Sequence, residues 1–179
     1  SEVERVRKTV EEIKEKNERI LKTSKDEVRR ILEESERMLE ESKKRVDEVR
    51  EEAADVVRKR DEERVRRILR ELEDLLRRVI EEDKRIVERL RRLLKRVIDT
   101  DRRILEESRK VLEDVIREAE ERPDDRILEK LEEAAKRSDE LHKRSRDDLR
   151  RVAEEIKKLH EETRRKLKKV VDEIRKKLK

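Results

Sequence analysis

The chain has 179 residues, 61% charged and 31% hydrophobic, with no Gly, no Cys, no aromatic residue and one Pro. Its net charge is only +5, and the basic excess falls in residues 123–179. This composition excludes thiol and disulfide chemistry, offers no aromatic face for stacking bases, and holds no apolar run near the ~18 residues of a membrane span.

Low hydrophobicity often means disorder. Here the two signs of charge nearly cancel, and the Leu, Ile and Val residues are strictly periodic among Glu, Lys and Arg, which reads as long helices. The opening SEVERVRK has no signal-peptide core.

A first helix is expected over about 2–59. Ser1 and Glu4 match a capping box. Ile20, Leu21, Val28, Ile31 and Leu32 fall on one face at about 100° per residue. Carried from Met38 and Val56 to Ile68, that face slips by roughly 115°. A turn near Lys59-Arg60-Asp61 resolves the slip, with Asp61 as the expected N-cap of the next helix.

The second helix is expected over about 62–121. Ile68, Leu69, Leu72, Leu75, Leu76, Val79 and Ile80 occupy an arc of roughly 140°. A second slip coincides with ERPDDR, where Pro123 stops the helix and Asp124 or Asp125 caps the third. That last helix, about 125–178, aligns Leu149, Val152, Ala153, Ile156 and Leu159. Its basic tail, RRKLKKVVDEIRKKLK, suits the carbonyl end of a helix better than a nucleic-acid patch, because acids interleave throughout. Each helix would be about 85 Å long at ~1.5 Å per residue. Short connections make neighbours antiparallel. The expectation is an all-α, straight, antiparallel up-down-up three-helix bundle, a single domain over 1–179.

The helices repeat internally. Segments 66–83, 84–101 and 102–119 read RRILRELEDLLRRVIEED, KRIVERLRRLLKRVIDTD and RRILEESRKVLEDVIREA. Val10, Val28 and Val46 correspond in the first helix, and Leu131, Leu149 and Leu167 in the third. Eighteen residues make five turns at ~3.6 residues each, so this repeat needs no supercoil.

With its Leu/Ile/Val faces, Glu/Lys/Arg surface, Gly-free helices of equal length and isolated polar residues on the core face, the chain resembles computationally designed, parametrically built helical bundles with buried hydrogen-bond networks. The resemblance implies a chain chosen for its structure, without an evolved substrate.

The isolated polar residues repeat as well. Asn17 and Ser35, Asp83 and Asp101, and His142 and His160 are each eighteen apart, and the third member of each series is apolar: Ala53, Ala119 and Leu178. In the expected bundle, residue i of the first helix is level with roughly 121 − i of the second and 123 + i of the third. Two layers follow: Ser35 with Asp83 and His160, and Asn17 with Asp101 and His142. Ser24 is matched with Ser145, Ser42 with Thr163, and Ser108 with Ser138. A lone buried carboxylate is very costly. Met by imidazole and hydroxyl or amide donors, it becomes tolerable and penalises a helix slipped by one turn.

Ser35, His160 and Asp83 are also the residue types of a hydrolase triad. A mid-bundle serine has no backbone oxyanion hole, and a packed core has no room for substrate, so catalysis is not expected. Metal is not expected either: the two His are ~27 Å apart along one helix, and one His with one Asp falls short of the usual zinc set. The expected role is a scaffold with no cofactor, no required partner, no nucleic acid and no membrane. A monomer is expected. The alternative is self-association or partner binding, suggested by Leu75, Leu93 and Val111 widening the second helix's apolar face, with Thr100 at its margin.

Overall fold

The computed structural model describes residues 1–122 and 124–179. It consists of three α-helices, α1 (Glu2–Lys59), α2 (Glu63–Glu121) and α3 (Asp125–Lys177). The protein is an all-α three-helix bundle, with no strand among the described residues.

The helix ends follow local chemistry. The Glu4 N–H donates to Ser1 Oγ at 3.3 Å, and the Glu4 carboxylate lies 3.6 Å from the Ser1 nitrogen. At the second turn Asp124 is the N-cap: its Oδ1 accepts from the Arg126 N–H at 3.2 Å and its carbonyl from the Ile127 N–H at 3.1 Å. The role expected of Pro123 lies outside the described residues.

The first turn departs from expectation. Asp61 does not cap α2; the helix starts later, with the Glu62 carbonyl accepting from Arg66 N–H at 3.2 Å. The Asp61 carboxylate instead pairs with the Arg66 guanidinium. No described residue has positive φ, so this turn requires no Gly.

Contacts group the chain into two compact units, each drawing on all three helices. The first comprises residues 1–29 and 93–152, the second residues 30–92 and 153–179. In the first unit, Val10, Leu112, Val115 and Leu131 lie within one buried apolar cluster. Arg7 pairs with Glu120 and Asn17 with Ser108, so α1 and α2 run antiparallel there. Lys16 pairs with Asp139 and Ser24 with Ser145, so α1 and α3 run parallel.

The second unit has its own cluster, which includes Val46, Val49, Leu72, Leu76 and Val171. Glu36 meets Arg91, and Arg50 meets Glu73, again antiparallel. Glu41 pairs with Arg164 and Glu52 with Arg175, again parallel. Lys16–Asp139, Glu41–Arg164 and Glu52–Arg175 all bridge residues 123 apart. That separation equals the expected α1/α3 register.

Candidate functional site

Three polar constellations lie inside the helices, where the apolar stripe is interrupted. The one in the second unit takes one residue from each helix. Ser35 of α1, Asp83 of α2 and His160 of α3 are 3%, 1% and 1% exposed. His160 Nδ1 lies 2.6 Å from Asp83 Oδ1, and Nε2 lies 2.6 Å from Ser35 Oγ. A carboxylate oxygen only accepts, so Nδ1–H is the donor to Asp83. Nε2 then accepts from the Ser35 hydroxyl, or donates to it when the imidazole is protonated. The second carboxylate oxygen, Asp83 Oδ2, is buried without a hydrogen-bond partner.

The first unit holds two networks. In one, the Ser138 hydroxyl donates to Asn17 Oδ1 at 2.5 Å, and Asn17 Nδ2 donates to Ser108 Oγ at 3.2 Å. In the other, the Ser145 hydroxyl donates to Asp101 Oδ2 at 2.7 Å. Ser24 Oγ lies 3.1 Å from Ser145 Oγ.

Burial pushes the Asp101 carboxyl above its ordinary value of 3.8, and the hydroxyls of Ser145 and Ser24 counter the shift. Asp148 adds to it and Arg144 opposes it.

Three expected groupings differ from this geometry. The layer of Asn17, Asp101 and His142 does not form. Asn17 goes to Ser108 and Ser138, Asp101 goes to Ser145, and His142 stays half-buried outside both networks. The repeat copies the layer residues but not their surroundings. Where the first unit has Ser108 and Ser138, the second has Leu90 and Ile156, both fully buried. An amide both donates and accepts, so two nearby hydroxyls satisfy Asn17 and remove it from Asp101's reach. Ser108 and Ser138 therefore meet through Asn17 rather than directly.

Ser42 and Thr163 are both buried, but the Thr163 hydroxyl donates to the Leu159 carbonyl in its own helix at 3.0 Å. Such local bonding to a carbonyl four residues back is common for Thr within helices. The signal that exposes the regrouping is a break in the repeat: a Ser at 108 and at 138 where the register places Leu and Ile.

Ser35, His160 and Asp83 stand in the order of a hydrolytic triad. Ser35 lies deep within α1, where the backbone N–H groups that would form an oxyanion hole belong to the helix itself. Among the described residues no cluster of three or more His, Cys, Asp or Glu could hold a metal ion, and no helix is long and apolar enough to cross a membrane.

Fold and site together define an all-α helical bundle with buried side-chain hydrogen bonds. The chain matches no protein-family profile, no curated protein and no solved structure.

Proposed function

We propose that this chain is a structural scaffold, of a kind with the designed bundles it resembles, and that its buried polar residues hold the three helices in one register. The observation that carries this reading is the Ser35–His160–Asp83 chain, whose members come one from each helix. Sliding any helix by one turn (~5.4 Å) would strand a buried carboxylate or imidazole. Apolar layers impose no such demand, because Leu against Leu tolerates several registers. Buried polar groups of this type add little net stability over well-packed apolar ones; their use lies in excluding alternatives.

The test replaces the network residues with Leu, Ile and Ala. The expected product keeps its helicity and melts no lower than the parent, but shows several conformers by NMR or several species by light scattering. A single conformer identical to the parent's would remove register selection as the role of the networks.

The triad geometry favours hydrolysis as the competing reading. Its three residues are buried and have no oxyanion donors, so ester turnover by the parent and by Ser35→Ala should be indistinguishable.

A further inference from the structure

The first unit carries a groove of about 380 Å³ between α2 and α3. Ile104, Leu105, Val111 and Leu141 give it apolar lining, and the small residues Ser108, Ala134 and Ser138 line it as well. The groove exists because small residues stand at 108 and 138, where the repeat has Leu90 and Ile156 in the second unit. Val111 stands in it 42% exposed, which is unusual in a chain that buries most of its Leu, Ile and Val.

Two features decide what fits. The groove spans residues 104–118 of α2, about four helical turns, and it is open along one side. A small molecule there would stay half in water, whereas ligand pockets bury ~70–90% of their occupant. A helix with its own polar outer face suits such a groove.

The second feature is charge. Glu107, Asp114, Glu118 and Glu133 line the groove against only Lys130 and Arg137, so it is acidic in a chain of net charge +5. Glu118 is bound by Lys130 at 2.7 Å and Asp114 by Arg117 at 3.3 Å. Among the described residues Glu107 on α2 and Glu133 on α3 have no such partner, and they flank the groove on opposite helices. A second copy meeting groove to groove would set like charges against each other.

We propose that this groove docks an amphipathic helix of another chain, apolar along one face and edged with Lys or Arg. This inference is independent of what the buried networks do. The probe is a fluorescein-labelled peptide of about 18 residues, five turns, made only of Leu and Lys with Leu at i, i+3, i+4 and i+7. It is titrated with the whole chain and followed by anisotropy.

Saturable one-to-one binding is expected. Val111→Lys should weaken it about tenfold or more. Glu107→Gln with Glu133→Gln should weaken it less and flatten its salt dependence. Leu75→Lys, at a residue 37% exposed on the same helix in the second unit, should leave it unchanged, and a Leu/Glu peptide of the same pattern should not bind. The proposal fails if no saturable binding occurs, if Leu75→Lys costs as much as Val111→Lys, or if the Leu/Glu helix binds equally well.

Discussion

Asp83 and Asp101 occupy equivalent places in the repeat, yet their surroundings make them chemically different. Asp83 depends on His160: its Oδ1 meets the ring nitrogen, and its Oδ2 has no hydrogen-bond partner among the described residues. Removing the imidazole leaves a buried carboxylate without a cation or donor. His160→Leu should therefore cost about 3–5 kcal/mol by urea denaturation. Replacing all three residues (Ser35→Ala, Asp83→Leu, His160→Leu) should restore the parent's stability or exceed it by ~1–4 kcal/mol, since the buried polar groups leave together.

Asp101 has only hydroxyl donors, and burial holds its carboxyl above the ordinary 3.8. The folded state keeps this proton to higher pH than the unfolded chain, so Asp101's stabilising contribution is complete below about pH 3.8 and is lost as pH rises through the folded value. Asp101→Asn has no proton to lose there. Parent minus variant stability should therefore decline from about pH 3 to pH 7. A difference that stays flat, or rises, would mean the carboxylate is not penalised by burial.

At the scale of the helix, the two turns show how little sequence a connection needs. Asp124 caps α3 through its side chain and its carbonyl, whereas Asp61 is tied only to the Arg66 guanidinium on the surface. Two aspartates that look alike in sequence should respond differently to mutation. Asp124→Ala should cost about 0.5–2 kcal/mol, the usual loss of an N-cap. Asp61→Ala should stay within ~0.5 kcal/mol, as for an exposed ion pair. Thermal melts of the two variants side by side check the ranking. A carboxylate two residues before a helix, as Asp61 is, can satisfy either the first N–H groups or a basic side chain a little over one turn on. Only the geometry of the turn selects between them.

Taken over the whole chain, both units bury polar residues, but the inner face of α2 carries Asp101 and Ser108 in the first and Asp83 in the second. The first interrupts its core with Asn17, Ser108 and Ser138, and again with Ser24, Asp101 and Ser145. The second keeps Leu90 and Ile156 at the corresponding places and packs them fully. Local opening is easier where fewer apolar contacts hold a segment. Amide hydrogen exchange along α2 should thus be faster over residues 98–112 than over 76–90. Equal protection in the two stretches would show that the polar layers cost nothing locally.

Periodicity alone determined the three helices, their lengths to within a residue or two, and the α1/α3 register, because each depends on the regular rise and turn of the backbone. Inward placement of Asp83 and Asp101 was legible for the same reason: a residue at the centre of an apolar stripe faces whatever the stripe faces. Choice of partner was left to the tertiary structure. Asn17 could bond to Asp101 or to two serines, and Asp101 to His142 or Ser145. These alternatives lie one or two helical turns apart, and hydrogen bonds discriminate over about 1 Å, finer than any level rule counted in residues. Side-chain packing around each polar group, set by residues as distant in sequence as 17 and 138, made that choice.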